Sequence, residues 1–146
     1  MKLNKIKLEQ PSEYNRLLAE LFASNVIETN KDVYKGRNEA SEYKIRTDIM
    51  NGKIAEILVC KAFIKQNKAI TPPDFLIYGT NEKKFDADLF SNDLKIHVKS
   101  CMNDGKFPNS WLFQKTDPVY SSPQTKNFLC LVVLGEQNYM YVVGAI

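Results

Sequence analysis

The chain has 146 residues, 44% hydrophobic and 25% charged, with a formal net charge of +3. These values fit one globular domain with a core of its own and exclude disordered, fibrous and disulfide-scaffold classes. The longest apolar run, Phe128–Leu134, is too short to span a bilayer, and the basic Met1-Lys2-Leu3-Asn4-Lys5-Ile6-Lys7 lacks the apolar stretch of a signal peptide.

A cytoplasmic protein with no membrane partner is therefore expected. Cys60, Cys101 and Cys130 form an odd set without CxxC or Cys/His spacing, which predicts reduced, mostly buried thiols and no zinc site. The surplus of Lys and Arg lies in the amino-terminal half, a face that suits phosphate or is simply solvated.

In chain order, a first helix is predicted from about Ser12, an N-cap followed by Glu13, to about Glu28. Polar residues from Thr29 to Arg37 read as a loop. A long helix follows from about Glu39 to Gln66, with Ile45, Ile49, Gly52, Glu56, Val59 and Phe63 along one stripe. Gly52 on that stripe predicts close packing. Glu56 sits in its middle, where an unpaired carboxylate costs several kcal/mol unless a positive group meets it. The alternative is that Glu56 tilts to the rim and is solvated.

After Pro72-Pro73, Asp74–Tyr78 is predicted as a short strand or extended segment, and Gly79-Thr80-Asn81 as a turn. Phe85–Phe90 and Leu94–Ser100 both alternate apolar and polar residues and read as a hairpin closed by Phe90-Ser91-Asn92-Asp93. If Leu89 faces Leu94, then Ala87 faces Ile96 and Phe85 faces Val98 on one side. The other side then carries Asp86 opposite His97, Asp88 opposite Lys95, and Lys99 beyond. A one-residue slip would place acids beside Ile96 and Val98.

Met102–Ser110 is a predicted loop with Lys106 at its tip, Ser110–Gln114 a strand, and Asp117–Asn127, with Pro118 and Pro123, a second loop. Phe128–Leu134 and Tyr139–Ala145 form a second hairpin. The fold class is α/β (α+β), a mixed, mostly antiparallel sheet flanked by helices, in one domain over 1–146. Ile146 directly follows an apolar strand, so either the carboxyl terminus is truncated or that strand edge is covered by another subunit.

Gly52-Lys53-Ile54-Ala55-Glu56 on a long helix, then Asp86, then His97-Val98-Lys99 on a strand, resembles the PD-(D/E)XK superfamily of restriction-endonuclease-like nucleases. The resemblance covers about residues 45 to 100. It implies a restriction-endonuclease-like core and a metal-dependent endonuclease that hydrolyses DNA phosphodiester bonds with Mg²⁺ or Mn²⁺. Asp86 would be the central metal-binding carboxylate and Glu56 a second one. Lys99 would orient the attacking water and stabilise charge on the phosphate, and Val98 would offer a main-chain carbonyl to the metal. Hydrolysis of a phosphodiester needs such a set: an activated water, a divalent ion and a cation for developing charge.

His97 stands where the family usually carries an acid. As a ligand it suits Mn²⁺ better than Mg²⁺; it could instead act as a base or hydrogen-bond Asp86. Asp74 follows Pro73 but lies far ahead of Lys99, Asp88 has Lys95 as its expected partner, and Asp93 belongs to the turn. Asn103, Lys106, Gln114 and Lys115 are candidate DNA contacts. Cutting both strands takes two sites, so a homodimer is expected. Two other readings stay open: a catalytically inactive nucleic-acid- or protein-binding module on the same scaffold, and an unrelated α+β interaction domain.

Overall fold

A computed structural model describes residues 4–32, 42–78, 87–104, 109–111 and 127–143. Strand β1 (Asn4–Leu8) leads into helix α1 (Glu13–Thr29) and helix α2 (Glu42–Lys65). Strands β2 (Leu89–Ser91), β3 (Leu94–Met102), β4 (Asn127–Leu134) and β5 (Asn138–Val143) follow. The five strands form one sheet in the order β1-β5-β4-β3-β2. Only β3 and β4 run parallel; the other three pairings are antiparallel. The α+β class and the mixed sheet agree with the sequence reading.

Ser12 caps α1 as expected. Its side chain accepts the Asn15 amide at 3.0 Å while Asn15 Oδ1 accepts the Ser12 amide at 3.1 Å, so two otherwise orphaned donors are satisfied. At the end of α2, Asn67 adopts φ 56°. The Lys68 amide then reaches the Phe63 carbonyl at 2.9 Å and the Asn67 amide reaches that of Ile64 at 2.9 Å. That pair of bonds is a Schellman motif, which asparagine can enter at low cost.

The helices cover one face of the sheet. Ile54, Ala55, Leu58 and Val59 of α2 pack with Ile96, Cys130, Val132, Leu134 and Met140, all buried, and Val98 packs against the same cluster. Strand periodicity therefore directs His97 and Lys99 to the opposite face, where they lie beside Leu129 and Leu131 of β4.

Four sequence expectations change. β1 was not expected, although Ile6 and Leu8 alternate with Lys5 and Lys7; it pairs with β5 from Asn4↔Val142 to Leu8↔Asn138. The outer edge of β5 is thus covered by its own chain, not left for another subunit. Asp74–Tyr78 forms no strand of the sheet, and the Asp74 side chain accepts the Leu76 amide at 2.9 Å. A Cβ on Gly52 would meet nothing within 4 Å, so no close packing explains that glycine.

The fourth change is the register of the first hairpin, in which Leu89 faces Ile96, Phe90 faces Lys95 and Ser91 faces Leu94. The connection is two residues, Asn92-Asp93, with Asn92 at φ 52°, and so tighter than the four-residue loop expected from turn-forming composition. Tight hairpin turns favour residues that tolerate positive φ, and asparagine is one. The shift is two residues, so Leu89 and Ile96 keep the core face while each takes a new opposite partner.

Candidate functional site

The β2–β3 hairpin, α2 and the segment after Pro72 enclose a cleft of about 220 Å³. Lys53, Glu56, Asp74 and Asp88 line it, with Phe22, Leu76 and Phe90 among its apolar walls. Among the described residues, three carboxylates and one ammonium line it.

Asp88 begins β2. Its amide donates to the Ile96 carbonyl at 3.0 Å, and its carboxylate accepts the Val98 amide at 2.7 Å. The side chain thus takes the place of a ladder carbonyl where the strand ends. It also stands close enough to Cys130 to act on that thiol, whose pKa is raised to about 12 by burial first and by Asp88 second.

Glu56 projects from the middle of α2 and is largely buried, at 15% side-chain exposure. A positive group does meet it, one turn earlier on its own helix: Lys53 Nζ lies 2.7 Å from Glu56 Oε2. Lys53 is itself buried, with its side chain 7% exposed. The same ammonium donates to the Asp74 carbonyl at 2.6 Å and sits 4.3 Å from the Phe22 ring centroid and 5.4 Å from that of Phe75. Ion pair, carbonyl and aromatic faces together repay the desolvation of a buried lysine.

Asp74 holds the outer wall. Oδ1 accepts the Leu76 amide, and Oδ2 accepts the Tyr78 hydroxyl at 2.8 Å. Burial, then the bond to Asp74 and its charge, push the Tyr78 hydroxyl above its ordinary pKa. Upstream, Thr71 exchanges two bonds with Phe90: its amide reaches the Phe90 carbonyl at 2.8 Å and its hydroxyl accepts the Phe90 amide at 2.9 Å. Ser91 Oγ donates to the Ala69 carbonyl, so the outer edge of β2 is tied to this segment.

The structure brings some of the sequence candidates together and separates others. Glu56 lines the cleft, and Val98, which does not line it, donates its amide to Asp88, which does. Asp86, Lys106, Gln114 and Lys115 lie outside the described residues. His97 does not line the cleft; it is buried on the other face, with Nε2 3.2 Å from Asn127 Oδ1. Lys99 shares that face and is likewise absent from the cleft wall. Asn103 is an exposed turn residue whose amide donates to the Leu134 carbonyl. Asp88 does not oppose Lys95, because Phe90 does.

Lys53 and Asp74 were missed. The signal for Lys53 was its i, i+3 spacing to Glu56 on the helix. Asp74 lies far along the chain from Lys99, yet its carbonyl meets the Lys53 ammonium of α2 at 2.6 Å.

Among the described residues, no group of three or more His, Cys, Asp or Glu side chains is arranged to hold a metal ion. Glu56 and Asp88 nevertheless supply oxygen donors to one cleft, and a hard cation such as Mg²⁺ takes few protein oxygens and keeps several waters. Glu56 and Asp88 are thus the residues that could hold such a cation at an open site, and the described wall has too few ligands for a closed cage. All three cysteines are free, with Cys60 and Cys130 buried. No helix among the described residues is long and apolar enough to cross a membrane. No family model, curated protein or solved structure matches the chain.

Proposed function

We propose that this chain is a divalent-metal-dependent deoxyribonuclease on a restriction-endonuclease-like core, acting on DNA phosphodiester bonds, as a homodimer where both strands are cut. The observation that carries the reading is the meeting of Glu56 from α2 and Asp88 from the hairpin at one cleft, with Asp88 bonded to the middle residue of His97-Val98-Lys99.

Asp88 and Glu56 would hold Mg²⁺ or Mn²⁺. The ion would supply the charge that lowers the pKa of a water and shields the phosphate. The chain's own residues orient this centre. The Val98 amide fixes the Asp88 carboxylate, Lys53 orients that of Glu56 before an ion enters, and Phe22, Leu76 and Phe90 form an apolar wall. Lys99, which the resemblance makes the cation for the phosphate, lies on the opposite face of the sheet and has no part in this cleft. Asp86 is the alternative acid.

A second reading, an inactive binding module on the same scaffold, is favoured by one specific feature. His97 stands in the place of the family's acid and is bonded to Asn127 on the far face. Incubation with supercoiled plasmid in Mg²⁺, Mn²⁺ and Ca²⁺, beside Glu56→Gln, separates the two. Nicking in Mg²⁺ or Mn²⁺ that Glu56→Gln abolishes supports the nuclease. DNA binding without nicking in any of these ions supports the module.

A further inference from the structure

Lys53 places a full positive charge in an acidic cleft that the proposed chemistry wants for a metal. Its ammonium bridges two oxygens, Glu56 Oε2 at 2.7 Å and the Asp74 carbonyl at 2.6 Å, and it faces Phe22 at 4.3 Å. Two oxygens and an aromatic face are the surroundings of a bound cation, here provided by the chain itself.

Because Lys53 and Glu56 belong to one helix, three residues apart, the ammonium cannot drift away from the cleft when Glu56 takes another partner. It keeps the Asp74 carbonyl and the Phe22 face as a second resting place.

We propose that Lys53 is the built-in counter-cation of this cleft and competes with a divalent ion for Glu56. Metal entry then requires the ammonium to release Glu56 Oε2 while staying on the Asp74 carbonyl. The inference rests on the cation-binding part of the reading above. It adds a residue that sets metal affinity and keeps the carboxylate pre-oriented when no ion is bound.

Two like charges a few ångströms apart at a half-buried site interact strongly, so removing the lysine charge raises affinity by about tenfold or more. Ca²⁺ alone is the probe, titrated calorimetrically into the full chain without DNA. Lys53→Gln keeps a donor for the Asp74 carbonyl and loses the charge; Lys53→Arg keeps the charge. The expected result is Ca²⁺ binding at least tenfold tighter for Lys53→Gln than for wild type, with Lys53→Arg close to wild type. Thermal melts supply a second readout, with Ca²⁺ raising the melting temperature of Lys53→Gln more than that of wild type.

Equal or weaker Ca²⁺ binding by folded Lys53→Gln overturns the inference, as does absence of Ca²⁺ binding by both proteins. If Lys53→Gln does not fold without metal, folding on addition of Ca²⁺ supports the inference and failure to fold with it overturns it. Plasmid nicking by wild type with unchanged Ca²⁺ affinity in Lys53→Gln removes this inference alone. Tighter Ca²⁺ binding without nicking supports it and removes only the hydrolase reading.

Discussion

The Asp88 carboxylate accepts the Val98 amide at 2.7 Å, so the side chain of one strand completes the backbone ladder of the next. This bond joins the acid of the hairpin to the His97-Val98-Lys99 segment. It also gives Asp88 a structural duty that stability measurements report.

Replacing Asp88 with Ala leaves the Val98 amide without its acceptor and costs about 1–3 kcal/mol of stability. Asn keeps an acceptor oxygen and costs less. Urea unfolding of the two variants checks the order, and equal loss in both would show that the bond contributes nothing.

The buried Lys53–Glu56 pair predicts strong non-additivity. Lys53→Met or Glu56→Leu alone strands one charge and costs about 3–5 kcal/mol, whereas the double substitution costs much less than the sum. A double-mutant cycle in guanidinium measures the coupling. Additive losses would contradict the pairing at 2.7 Å.

Ser12 tests the local reading of α1. Its side chain and that of Asn15 close the capping box, so Ser12→Ala costs about 1 kcal/mol. The midpoint of urea denaturation reports it, and Ser12→Asp restores most of the loss.

The Cys130 thiol, raised from 9.0 to about 12 by burial and then by Asp88, gives a pH dependence. Its folded pKa lies above the unfolded one, so the unfolded state loses its proton first as pH rises. The contribution to stability is intact below about pH 9 and is lost toward about pH 12, at up to about 1.4 kcal/mol per pH unit. Cys130→Val lacks this component. Wild type is therefore expected to lose more stability than the variant between pH 9 and 11, and parallel curves would contradict it.

Much of the fold could be read from local pattern. The Ser12 cap, the long amphipathic α2, the alternation of the hairpin and the apolar β4 and β5 all carry their own period. β1 was hidden because five residues with two lysines read first as a basic terminus, and its pairing with β5 is long-range. The hairpin register escaped because alternation fixes only which face a residue takes. A slip of two residues preserves every face, and the choice lay with Asn92 at positive φ.

At the site, Glu56 stood out as an acid on an apolar stripe. Lys53 did not, because a lysine three residues before a glutamate is usually an exposed helix pair. Its burial depends on Phe22 from α1 and on the Asp74 carbonyl. Those are tertiary facts, and no spacing along the chain encodes them.

The central claim is that Glu56 and Asp88 together make a cation-dependent site for cutting DNA. It is tested most directly by supercoiled-plasmid cleavage with Mg²⁺ or Mn²⁺ by wild type, Asp88→Asn and Asp86→Asn at equal concentration. The account predicts nicking by wild type, its loss in folded Asp88→Asn, and no nicking by wild type in EDTA. Wild-type rates from Asp88→Asn beside an inactive Asp86→Asn would move the site to Asp86, and metal-independent nicking would contradict the account.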